Sequence, residues 1–168
     1  MLAGFVDGRG RAYDIGFRTL RLSLTDEEGV LALTAGEEVV AQGAATAAME
    51  VLDPKPLPLL LPAPGEVVGT RRRAVFLATA GGPRPAALTF YNVSLSLHRT
   101  ALEHFFTAQG GREFVQFEAS DVERSSPSGL ALELLLRGPR PGAPKETSRF
   151  RLRIEPAAIA REALSALG

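Results

Sequence analysis

From Arg149 to Ile154 the chain alternates arginine with a large apolar residue. Arg149, Arg151 and Arg153 fall on one parity, and Phe150, Leu152 and Ile154 on the other. A period of two is that of an extended strand, whose successive side chains point to opposite faces. The segment therefore needs a sheet with one basic face in water and one greasy face covered. The same period recurs in Leu20, Leu22 and Leu24 and in Leu130, Leu132, Leu134 and Leu136. It recurs again in Tyr91, Val93, Leu95 and Leu97, set against Asn92, Ser94, Ser96 and His98. Arg73 to Thr79 and Phe114 to Ala119 read as further strands. Pro156 suits the first turn of a helix, and Ile159, Ala163, Leu164 and Leu167 give that helix an apolar stripe to lay on the sheet. The expected fold class is β-rich α+β: an antiparallel, curled sheet or partly open β-barrel closed by a C-terminal amphipathic helix.

Between these strands the signals are mixed. Residues 13–34 read as a β-hairpin turning at Asp26-Glu27-Glu28-Gly29. Thr34-Ala35-Gly36-Glu37 has capping-box spacing, and the alanine-rich run from there to Val51 leans towards helix. Gly43 opposes that reading by about 1 kcal/mol relative to alanine, and Val39, Val40 and Val51 oppose it as well. Prolines 54, 56, 58, 62 and 64 make residues 53–65 an extended, stiff connector packed down by its leucines. Ala80 to Pro85 reads as a turn. Thr100 and Glu103 form a second capping-box match, which predicts a helix from Ala101 to Gln109 stopped by Gly110-Gly111. Ser125 to Gly129 reads as a turn and Gly138 to Ala143 as a loop.

With 168 residues the chain suits a single domain, 1–168, with a possible internal division at the proline-rich connector 53–65. Residues 1–52 are too few to bury much apolar surface as a separate unit. Nineteen basic and nineteen acidic side chains leave no net charge, so an anion site must be a local cluster and nucleic acid is not an expected partner. The absence of cysteine removes disulfides and thiolate metal sites, in keeping with a cytoplasmic protein. The N-terminal residues lack the pattern of a secretory signal, and no apolar run is long enough for a membrane span. Lys55 and Lys145 are the only lysines against many arginines, a bias expected of a GC-rich, bacterial genome.

The segments F-V-Q-F-E-A-S-D-V-E-R, G-L-A-L-E-L-L-L with S-R-F-R-L-R-I, and A-A-I-A-R-E-A-L-S-A-L resemble the last strands and closing helix of pleckstrin-homology-like domains and the related GRAM modules. The resemblance covers about 60 residues, on the scale of a small domain. It implies a barrel that binds lipids, peptides or proteins, without a shared catalytic role. A competing resemblance is to PilZ domains, which sense a cyclic dinucleotide. Arg71-Arg72-Arg73 followed by Asn92-Val93-Ser94 is similar to their two motifs. Leu97 stands where their glycine is expected, and Leu77 where their second arginine is expected.

Two arginine groups are candidate ligand-binding residues. Arg71, Arg72 and Arg73 fan to both sides at a strand entrance, either solvated and paired with glutamates or forming a phosphate or carboxylate clamp. Arg149, Arg151 and Arg153 share one strand face and need negative charge across them. Glu118, Glu123 or Glu133 can supply it, or a ligand can. Catalysis finds little footing. His98 and His104 are the only histidines, and H-E-x-x-H, G-x-S-x-G and phosphate-loop motifs are absent. Asp121 and Glu123 read as solvated carboxylates rather than an acid–base pair, and no metal or cofactor is expected. Phe90, Tyr91, Phe105 and Phe106 read as core.

The expected function is a non-enzymatic binding module that recognises an anionic small molecule, a lipid headgroup or a protein partner through an arginine-bearing face. The alternative is a structural or assembly protein that acts through self-association as a homo-oligomer or through a partner contact.

Overall fold

The computed structural model describes residues 1–80 and 104–168. Ten strands form one sheet among these residues: β1 (Leu2–Val6), β2 (Arg11–Asp14), β3 (Thr19–Ser23), β4 (Val39–Val51), β5 (Leu57–Thr70), β6 (Ala74–Ala78), β7 (Arg112–Phe117), β8 (Val122–Ser128), β9 (Ala131–Arg140) and β10 (Ala143–Glu155). Their order is β3-β2-β1-β7-β6-β5-β4-β10-β9-β8. Every pairing in it is antiparallel. Helix α1 (Ala157–Ala166) comes directly after β10, with Pro156 at its N-cap. The β-rich antiparallel fold with a C-terminal helix is the one that the alternating segments predict.

The sheet is curled but not closed by hydrogen bonds. β1 and β9 are far apart in the strand order, yet the Met1 side chain lies so close to Gly138 that a Cβ added there would meet it at 3.0 Å. The concave side holds the larger core, which includes Phe76, Val115, Leu134, Phe150, Leu152 and Ile154. A second core on the other face gathers Val6, Leu24, Leu31, Val68, Val75, Leu77 and Phe114. β6 is buried at every position because its alternate residues serve these two cores.

Residues 35–51, which lean towards helix in sequence, are instead the long strand β4 and the turn leading into it. The reason is tertiary. β4 lies between β5 and β10, and its small residues form a seat for α1. Gly43 lies under Ile159, where an added Cβ would be 3.1 Å from Cδ1. Gly69 of β5 lies under Ala163, where an added Cβ would be 2.8 Å from Cα. Alanine and glycine are here because a helix rests on them.

The proline-rich stretch is likewise not a connector from residue 57 onwards, but the first half of β5. Over 57–64 that strand pairs with β4, and β6 joins only from Gly65. The Pro64 carbonyl accepts the Thr79 amide at 2.9 Å, so the donor that Pro64 lacks faces away from β4. Proline is tolerated where no ladder bond is lost.

The hairpin expected over 13–34 is corrected in its partner. β3 pairs with β2, while Val30 to Thr34 returns as a strap with a single bridge, Thr25 to Leu31. The Asp26 turn forms as expected, with Oδ1 accepting the amides of Glu28 and Val30 at 2.9 and 3.0 Å. Ser125 to Ser128 belongs to strand β8, and the loop expected over 138–143 shrinks to Pro141-Gly142 between β9 and β10. Residues 104–107 are helical and Gly110 takes φ 67°, a natural stop. The expected turn over 81–85, the strand around Tyr91 with Asn92, Ser94 and Leu97, Phe90, His98 and the Thr100–Glu103 cap lie outside the described residues.

Candidate functional site

The arginine triplet sits in the β5–β6 turn. Arg73 is 7% exposed and committed inward. Its Nε and Nη2 donate to the two oxygens of Glu37 at 2.8 and 3.0 Å, Nη1 to Gln116 Oε1 at 2.9 Å, and Nη2 also to the Ala32 carbonyl at 2.7 Å. Glu37 further accepts the Thr34 amide at 2.9 Å and the Thr70 hydroxyl at 2.9 Å. The Arg73 hydrogen bond, followed by the Thr34 amide and the Thr70 hydroxyl, outweighs burial and holds the carboxyl down at about 2. Arg72 donates to Thr34 Oγ1 at 2.6 Å and to the Ala35 carbonyl at 3.0 Å. The two residues thus clasp the 24–38 strap onto the sheet, Arg73 from within and Arg72 from the surface, where it stays exposed. Arg71 is exposed and makes no ion pair among the described residues.

The Thr34–Glu37 capping-box contact does form, with Glu37 reaching back to the Thr34 amide. The chain nevertheless continues into strand β4, and Glu37 is held at the same time by Arg73 and Thr70.

Arg149, Arg151 and Arg153 project together from the outer face of β10, opposite buried Phe150, Leu152 and Ile154. Acids lie across them. Arg149 is 3.8 Å from Asp53, and Arg151 bonds Glu50 at 2.6 Å and lies 3.9 Å from Glu133. Arg153 reaches only Ser128 Oγ, at 3.4 Å, among the described residues. Glu133 was an expected counter-charge, whereas Glu123 pairs with Arg137 at 3.0 Å instead. Glu50 and Asp53 had no sequence signal, because they lie about 100 residues away and meet β10 only through the β4 register. The two arginine groups are not brought together. Arg153 pairs across from Ala48, nine residues along β4 from the Val39 that faces Thr70, a separation of about 30 Å.

A third place was not visible in sequence. An open cleft of about 590 Å³ lies between the β2–β3 turn, the starts of β1 and β5, and the β9–β10 hairpin. Its floor is apolar, formed by Met1, Ala3, Ile15, Leu57, Leu59 and Phe150, and its charged groups are Asp14, Arg18 and Arg140. Helix α1 rests on β4 near Gly43, while Leu57 in the cleft pairs with Val51, eight residues further along the same strand. The helix therefore plugs one end of the curled sheet, and the cleft opens the other about 25 Å away.

The β2–β3 turn that carries Arg18 is rigidly held. Asp14 Oδ1 accepts the Arg18 amide at 2.8 Å, and Oδ2 accepts Arg18 Nε at 2.7 Å. Phe17 takes φ 63°, a left-handed conformation that is unfavourable for a large residue. Its ring offsets this by stacking on Phe5 at 4.7 Å and meeting Phe105 edge-on at 5.4 Å. Phe105 and Phe106 are buried, as their reading as core expects. Arg140 donates from Nε to Ser148 Oγ at 2.9 Å and pairs with Glu146 outside the cleft.

No histidine, serine, lysine or tyrosine lines the cleft among the described residues, so it offers shape and charge rather than a nucleophile beside a base. Among those residues, too, no group of three or more histidines and carboxylates is placed to hold a metal, and no helix is long and apolar enough to cross a membrane. No protein family, curated protein or solved structure matches the chain.

Proposed function

We propose that the protein is a non-catalytic binding module that holds a small, anionic amphiphilic molecule in the cleft between the β2–β3 turn and the β9–β10 hairpin. One observation carries this reading. The curled sheet is plugged by α1 at one end and open at the other, where an apolar floor meets two arginines. Ligand sites of a few hundred cubic ångströms with an apolar lining and a few placed polar groups are the usual form of a small-molecule pocket. The likeness of the last three segments to pleckstrin-homology-like domains, whose members bind ligands without catalysis, agrees with this reading.

Recognition of an anion or an acidic partner through the β10 arginine row is the second reading. It is favoured by Arg153, which has no carboxylate within ion-pair distance among the described residues. Self-association through a sheet edge is less supported. The edge strand β8 carries Glu123, Arg124 and Pro127, which disfavour pairing with another chain.

The test uses the neutral apolar dye N-phenyl-1-naphthylamine. The expected result is saturable fluorescence enhancement at one dye per chain, abolished by Leu57→Glu, which sets a carboxylate in the floor, with the melting transition retained. Dye binding that does not saturate, or that is indifferent to Leu57→Glu, overturns the assignment.

A further inference from the structure

We propose that the molecule held in this cleft is a single-chain carboxylate, with its head on the Nη1/Nη2 edge of Arg18. The inference rests on the cleft being the binding site and adds the chemistry of the head. Of the two arginines, Arg140 is nearly saturated. Nε is bonded to Ser148, Nη1 to Glu146, and Nη2 lies 3.4 Å from the Thr147 carbonyl. Arg18 is different. Asp14 takes its Nε, while Nη1 and Nη2 carry no hydrogen bond among the described residues. Arg18, 71% exposed at the rim of the cleft, therefore keeps one guanidinium edge free of protein partners among the described residues, and its two parallel N–H groups match one planar carboxylate.

Charge narrows the class further. Each lining arginine already has one carboxylate partner, Arg18 with Asp14 and Arg140 with Glu146, so the cleft has no surplus positive charge to balance a multiply charged head. A phosphate monoester brings about −1.5 to −2 at neutral pH, next to Asp14 and with a single open edge to receive it. A cationic head meets two arginines and a carboxylate already occupied by the Arg18 amide and Nε. Asp14 and the Phe17 ring stack hold the turn in place, so the Arg18 backbone is positioned before a ligand arrives. The apolar floor takes the chain, with Met1, Ala3, Ile15 and Leu57 accessible above the buried Leu59 and Phe150.

The experiment is displacement of N-phenyl-1-naphthylamine by dodecanoate, dodecyl phosphate, dodecanol and dodecyltrimethylammonium, all as monomers and at a pH where the acid is ionised. Dodecanoate is expected to displace the dye at a concentration at least about 10-fold below dodecanol, the scale of one charge-assisted bidentate contact. Arg18→Gln should reduce that advantage, taken as the ratio of dodecanoate to dodecanol displacement on the same variant, to within about 2-fold, and Arg18→Lys, a point charge without the fork, should keep only part of it. Arg140→Gln should leave most of it. Equal displacement by dodecanoate and dodecanol, a preference for dodecyl phosphate, or an advantage that survives Arg18→Gln each overturn the carboxylate assignment while leaving the cleft as the site. Loss of dye binding to the wild-type chain overturns the cleft and the head assignment together.

Discussion

Replacing Glu37 with glutamine removes one charge from the clasp that ties the strap to the sheet, and the structure sets the size of the effect. In the folded chain the Glu37 carboxyl titrates at about 2, against an ordinary 4.5. At 1.36 kcal/mol per pH unit, that difference is worth about 3 kcal/mol of stability. The group is nearly fully buried, so solvent screening takes little from it. The sign comes from proton binding. Between about 2 and 4.5 the unfolded chain holds a proton on Glu37 that the folded chain does not. The stabilisation is therefore complete above 4.5 and is lost as pH falls towards 2. Glu37→Gln keeps the shape but leaves the Arg73 guanidinium buried beside a neutral amide, a loss of about 3–5 kcal/mol near pH 7. The gap between wild type and variant should then narrow by about 2 kcal/mol between pH 5 and pH 3, as Glu37 takes up a proton in the unfolded wild-type chain but not in the folded one. Urea titrations of both proteins across this range give the two curves. A gap under about 1 kcal/mol near neutrality, or one that stays constant with pH, would show that Glu37 and Arg73 do not form a buried pair.

The seat of the closing helix makes a graded prediction. Gly69→Val places a side chain 2.8 Å from the Ala163 Cα, which cannot yield, and should lower stability by about 2–3 kcal/mol. Gly43→Ala meets only the Ile159 side chain at 3.1 Å and should cost about 1 kcal/mol or less. Thermal melts that reverse this ranking would place the helix elsewhere. On the outer face, Arg151→Ala breaks exposed pairs to Glu50 and Glu133, so chemical denaturation should register a change below about 1 kcal/mol. Dye affinity in the cleft should not move with it, and a shift would mean that the arginine row and the cleft are one site.

Local alternation was enough to read the strands that have one wet and one dry face. Phe150, Leu152 and Ile154 are buried opposite three exposed arginines, as their spacing requires. The helical spacing after Pro156 was likewise enough to read the final helix, whose Ile159 and Ala163 dock on the sheet. Local composition misleads in β4 and β5, where neighbours decide the structure. An alanine-rich run favours helix when alone and becomes a 13-residue strand when two strands flank it and a helix presses on it. The prolines of β5 look like a connector until one sees that the donor Pro64 lacks points away from β4.

The candidate sites divide in the same way. That three arginines share a face of β10 is a consequence of period two, and six consecutive residues suffice to show it. Whether that face is open is a different kind of fact. It depends on Glu50 of β4 and Asp53 just beyond it, and for the β5–β6 triplet on Glu37, brought to Arg73 from 36 positions away. The cleft has no sequence signature, because its walls come from β1, the β2–β3 turn, β5 and the β9–β10 hairpin. Side-chain direction is set by covalent geometry between neighbours and can be read along the chain. Charge neutralisation and cavity shape are sums over segments distant in sequence, and only the curl of the sheet brings those segments to one place.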